Sequence, residues 1–194
     1  QPPGSATLVW ETDRPYEAAL ALRPGARASV RGLRVRHAGK SVANNYAVSA
    51  EGAELELEDC DVSSSTGAGV AAEGGRLSIR GGSVHDCARQ GLVLLGPLLG
   101  PEPLRAEVAG TSLRGNGNYL GDGDAIRGPF DGVLARSGVE AELRGVAVEG
   151  SGGVGVAAYE DARVVLAGGS LQGNRQGASR TKNGGEIVKA ESSS

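Results

Sequence analysis

Six stretches of this chain align on one eight-residue pattern, and that recurrence limits the possible folds more than any other feature. They cover residues 28–35, 55–62, 77–84, 106–113, 141–148 and 164–171. With Val30, Leu57, Ile79, Val108, Leu143 and Leu166 as reference positions, successive copies lie 27, 22, 29, 35 and 23 residues apart. A period of about 20–50 residues marks units that cannot bury an apolar face alone and must stack on their neighbours.

The unit has β periodicity. Apolar and polar residues alternate in Leu55-Glu56-Leu57-Glu58 and in Leu77-Ser78-Ile79-Arg80, as a strand with one buried face requires. A second short strand ends each copy at Val35, Val62, Val84, Leu113, Val148 or Leu171, apolar in all six. A third apolar piece precedes each copy, and in four units it begins directly after a glycine: Gly69, Gly91, Gly132 and Gly155. Each unit therefore reads as strand, glycine turn, strand, bend, strand. The expectation is an all-β, right-handed parallel β-helix of six to seven coils, with three short strands per coil.

Outward positions agree with this register. Three residues before each reference stand Arg27, Glu54, Arg76, Arg105, Glu140 and Arg163, so that opposite charges meet along most of the ladder. Eight residues after it stand Ala38, Ser65, Cys87, Asn116, Ser151 and Asn174, a column of small or polar groups suited to a bend. The organisation expected is an entry and cap strand in 1–16, with Trp10 as a lid, a repeat body in 17–178, and a terminal segment in 179–194. Within the last, 180–185 reads as a loop and 185–189 as a final strand.

Composition fits a narrow interior. Thirty-three glycines, one Phe, one Trp and no Met leave Ala, Val and Leu to do the packing. A net charge of −3, without a basic run interleaved with aromatics, argues against a nucleic-acid surface. No apolar stretch approaches the ~20 residues of a membrane span. Cys60 and Cys87 fall in different columns, which disfavours a bridge between them. Two unpaired thiols fit a reducing, intracellular or organellar setting better than a secreted one.

The segments GLRVRHAGKSVANN, ELEDCDVSSSTGAGVAAEGGRLSIRGGSVHDCARQG and GVAAYEDARVVLAGGSLQGNRQG resemble the pectin-lyase-like right-handed β-helix superfamily. The resemblance is closest to its carbohydrate-binding and sugar-hydrolase type of repeat, as found in certain F-box proteins, and covers roughly residues 17–178. It implies a fold rather than an activity, because that superfamily spans lyases, hydrolases, epimerases and binding modules.

Candidate chemistry gathers in the loops that the columns do not absorb. Asp122, Asp124, Arg127 and Asp131 lie in the longest step, and the three acids among them faintly resemble the acid cluster of polygalacturonase-type enzymes. The further His-Gly and Arg-x-Lys partners of that cluster are missing. Asp122-Gly-Asp124 lacks the closing Glu of a calcium loop, and two His and two Cys in mismatched columns do not form a zinc site. His85, with Arg36 and Arg114 in its column, reads as a solvated strand end.

No metal, cofactor or confident catalytic residue is therefore expected. The favoured function is a non-catalytic scaffold, part of a multi-subunit complex, that contacts protein through Leu95, Leu98, Leu99, Tyr119 and Phe130 at or in the 96–104 and 117–131 loops and along its lateral sheet. The alternative is a polysaccharide lyase, hydrolase or epimerase centred on the acidic loop, with carbohydrate as ligand.

Overall fold

A computed structural model describes residues 6–39, 45–97, 103–118 and 128–190. Nineteen strands, numbered in chain order, form two sheets among these residues, and every pairing is parallel. The smaller sheet has seven strands in chain order: β1 (Ala6–Glu11), β4 (Leu33–Ala38), β6 (Asp61–Ser64), β8 (Ser83–His85), β11 (Ser112–Arg114), β14 (Ala147–Glu149) and β17 (Ser170–Gln172).

The larger sheet has twelve strands in two series. One series comprises β2 (Ala18–Leu22), β9 (Leu92–Leu95), β12 (Val133–Arg136), β15 (Val156–Tyr159) and β18 (Ser179–Lys182). The other comprises β3 (Arg27–Arg31), β10 (Arg105–Ala109), β13 (Glu140–Arg144), β16 (Arg163–Ala167) and β19 (Glu186–Ala190). Two 13-residue strands, β5 (Tyr46–Glu58) and β7 (Ala68–Arg80), belong to both series and weld them into one sheet.

This arrangement corrects the expected right-handed parallel β-helix of six to seven coils with three short strands per coil. There are two sheets, not three, and the twelve-stranded sheet doubles back through β7 into a nearly closed, barrel-like form. The physical reason lies in glycines read as turns. Gly52 in β5, and Gly74 and Gly75 in β7, take positive φ inside continuous strands, so the chain bends there without leaving its ladder. The segment 180–185 is also corrected: Ser179–Lys182 pairs with β15 despite lacking an apolar pattern, because the bonds that hold it are main-chain ones.

The pairing register follows the sequence columns. Val30, Leu57, Ile79, Val108, Leu143 and Leu166 stand side by side across the larger sheet. Val35, Val62, Val84, Leu113 and Val148 do so across the smaller one and are essentially buried. Both sheets contribute to one core of Val, Leu, Ala and Ile. Each such Val or Leu side chain gains roughly 1.5–3 kcal/mol on leaving water. Cys60 and Cys87 are unbridged and buried within it, and burial pushes the Cys87 thiol up to about 12. Trp10 is no lid: it is 46% exposed, and its Nε1–H donates to Glu17 at 3.2 Å.

Arg76 and Arg105, adjacent like charges in the ladder, turn to different acids, Glu107 at 3.2 Å and Glu140 at 4.0 Å. Arg27–Glu54 and Arg31–Glu58 pair directly, each at 3.0 Å. These exposed pairs each contribute a few tenths of a kcal/mol and chiefly hold register.

The bend column is a hydrogen-bonded one. Asn116 Oδ1 accepts from the Cys87 N–H, and its Nδ2 donates to the Val84 carbonyl, both at 3.0 Å. One level on, Asn174 repeats the arrangement with Ser151 and Val148. His37 and Ser64, rather than Ala38 and Ser65, are its first two members: they pair in register, and their carbonyls accept from Ser65 and Ala88 as that of Cys87 accepts from Gly117.

Candidate functional site

The outer face of the larger sheet carries a groove of about 460 Å³ that crosses β2, β5, β7, β9 and β12. In a strand that alternates faces, the residue between two core positions points outward. Ala71 of β7, Val93 of β9 and Leu134 of β12 are such residues and stand in one row. Ala68, Ala71 and Val93 form a small apolar cluster outside the main core, with Tyr46 and Leu95 packed against it.

Polar groups frame this strip. Glu51 and Glu73 occupy neighbouring rungs. Glu51 faces Arg23 at 3.5 Å, and Arg136 makes a forked pair with Glu160 at 2.6 and 2.7 Å. Arg89 lines the groove and lies over the Phe130 ring, 5.1 Å from its centroid, a cation–π contact. Gln90 is more than nine-tenths buried and lines the same groove, and its Oε1 has no hydrogen-bond partner among the described residues. A buried acceptor in that condition costs free energy until a donor reaches it. Burial raises the Tyr46 hydroxyl, with Arg89 pulling the other way, so Tyr46 remains a neutral donor and acceptor.

The structure brings together two of the residues named from sequence. Leu95, the last residue of β9, lines the groove, and Phe130, from the loop before β12, adjoins it through Arg89. Asp131 does other work. Its Oδ1 accepts the Val154 N–H at 2.9 Å, which ties the end of its loop to the next level, and burial raises its carboxyl against that bond and Arg180. Leu98, Leu99, Tyr119, Asp122, Asp124 and Arg127 lie outside the described residues. No group of three His, Cys, Asp or Glu side chains is placed to hold a metal among the described residues.

Sequence reading missed Arg89 and Gln90 and the place of Tyr46 beside them, since Tyr46 shares its ladder row only with alanines, Ala18 and Ala68. It also missed a polar cluster on the seven-stranded sheet, where His85 is not a solvated end. His85 Nε2 lies 2.7 Å from Asp61 and its Nδ1 2.8 Å from Asp86. Arg34 and Ser83 donate to Asp61 at 2.9 and 2.8 Å. The signal was available, because Arg34, Asp61 and Ser83 share one column.

Burial works against ionisation of Asp61, but the bonds from Ser83, Arg34 and His85 outweigh it and hold the carboxyl below its ordinary range. A depressed carboxyl stabilises the fold above its unfolded pKa, and that contribution is lost as pH falls through the folded value. Asp61→Asn is therefore expected to cost about 1 kcal/mol at pH 7. The difference should shrink below about pH 4 and vanish once wild-type Asp61 is protonated. Urea melts of both proteins across that range check it; a pH-independent difference would contradict it.

Comparisons with protein-family models, curated proteins and solved structures found no match to this chain, so the resemblance noted above rests on the quoted segments alone.

Proposed function

We propose that this chain is a non-catalytic protein-interaction module, a subunit or domain of a larger assembly, and that it holds an extended segment of a protein partner in the lateral groove. The observation that carries this reading is the apolar row of Ala71, Val93 and Leu134 on an outer sheet face, with the buried, unpartnered Gln90 Oε1 beside it. Five strands at ~4.8 Å spacing give a floor about 19 Å long, which matches five or six extended residues.

Apolar partner side chains would cover Val93, Leu95 and Leu134. Arg89, pinned against Phe130, and the paired acids and arginines form a polar rim around an apolar centre, the usual anatomy of a protein interface. A sugar ligand would call for broad exposed aromatic platforms, and the groove offers Tyr46 and the neighbouring Phe130.

Selection from a displayed library of random peptides, run beside a panel of acidic and neutral oligosaccharides, tests the reading. Peptides with apolar residues at alternate positions are expected to be enriched and to bind at micromolar Kd, with no oligosaccharide bound. Binding of an oligosaccharide with no peptide enriched would overturn it.

A further inference from the structure

The two ends of the molecule differ. At one end β1 stands a row beyond β2 and β3, pairing only with β4 while they pair only with β5. At the other end β18 and β19 stand a row beyond β17. Among the described residues, one end thus carries an extra strand of the smaller sheet, and the other has room for one.

That room is a hollow of about 330 Å³, walled by Leu143, Val146, Val148, Leu166 and Leu171, with Lys189 at its margin. The three exposed large hydrophobic side chains among the described residues, Val9, Trp10 and Tyr16, all belong to the opposite end. Leu8, next to them, is only partly buried against the core.

We propose that these ends fit each other, so that a second copy of this chain seats its β1 against β17 and copies join head to tail. Continuing the parallel register sets Leu8 beside Leu171 over the hollow, since Leu8 pairs with Val35 and Leu171 with Val148 in the same column. Thr7 then meets Ser170. The same step sets β3 beside β19 and brings Arg27 opposite Glu186, which continues the ladder's alternation of sign past Arg163. It also brings Lys182 beside Arg23, a like-charge pair. Unpaired edges of this kind are templates for another strand. The two contacting surfaces differ, so the contact is heterologous and propagates rather than closing as a dimer. This inference does not rest on the groove.

Sedimentation velocity of the 194-residue chain over a wide concentration range tests it. Association is expected to grow with concentration without stopping at a dimer. Arg27→Glu and Glu186→Arg should each weaken it roughly three- to tenfold, the scale of one exposed ion pair replaced by a repulsion. An equal mixture of the two variants should restore assembly, because alternating copies then match at every junction. Leu8→Asp should weaken it about a hundredfold by placing a charge over an apolar hollow. Lys182→Glu, a change at an exposed side chain, should strengthen it and carries the test if a charge-swap variant fails to fold. A monomer at every concentration, a dimer that never extends, or a mixture no better than its components would each overturn the proposal.

Discussion

Replacing Asn116 by Leu is expected to cost about 4 kcal/mol, a large part of the 5–15 kcal/mol that holds a typical domain folded. Asn116 is fully buried, and its amide bonds both a donor and an acceptor of neighbouring main chain, Cys87 N–H and Val84 C=O. Leucine fills similar space but leaves both groups buried and unpaired, at roughly 1–3 kcal/mol each. Asn174 makes equivalent bonds to Ser151 and Val148 but is only half-buried, so water can replace its amide. Asn174→Leu should cost about half as much. Urea unfolding of both variants decides it, and an equal or smaller loss at Asn116 would contradict the account.

A second large effect is expected at Gly132, where alanine should cost about 3 kcal/mol. A β-carbon there would lie 2.6 Å from Ser151 Oγ and 2.8 Å from the Gly155 carbonyl, and would press on Val148 Cγ1. None of these belongs to a long flexible side chain, so the sheets themselves must shift. Gly138 offers the contrast: its φ of +73° strains any side chain, but a β-carbon there meets nothing within 4 Å. Gly138→Ala should cost about 1 kcal/mol. Thermal melts that ranked the two in the reverse order would show that space at Gly132 is not what its glycine provides.

These two sites also mark where sequence reading succeeded and where it stopped. Register was legible because pairing residues share chemistry: Val, Leu and Ile face the core, and Arg and Glu meet on the outside. The turn column was legible for the same reason, to within a one-residue slip at its first two members, His37 and Ser64. Division into sheets was not. Gly69, Gly91, Gly132 and Gly155 read as turn residues, but none has positive φ; they are glycine because neighbouring backbone and side chains, among them Asn116 and Asn174, fill the space of a β-carbon. Meanwhile the positive-φ glycines of β5 and β7 bend strands without ending them. One-dimensional patterning does not separate a glycine that turns the chain from one that makes room.

The groove was legible only in part. Leu95 and Phe130 were picked out because they lie at or beside long loops, which is where function concentrates. Tyr46, Arg89 and Gln90 gain their significance from juxtaposition across strands that are distant in sequence. No column aligns them, and only the folded sheet shows that they share a wall.

On this reading the outer face of the larger sheet, rather than that of the smaller one, receives a partner. Matched charge insertions test this directly: Leu134→Glu on the groove floor and Ser112→Glu on the outer face of the seven-stranded sheet. Isothermal titration with a peptide selected against the wild-type protein should show at least tenfold weaker binding to Leu134→Glu and unchanged binding to Ser112→Glu, with both variants melting near the wild-type temperature. Unchanged affinity for Leu134→Glu, or loss confined to Ser112→Glu, would contradict the account.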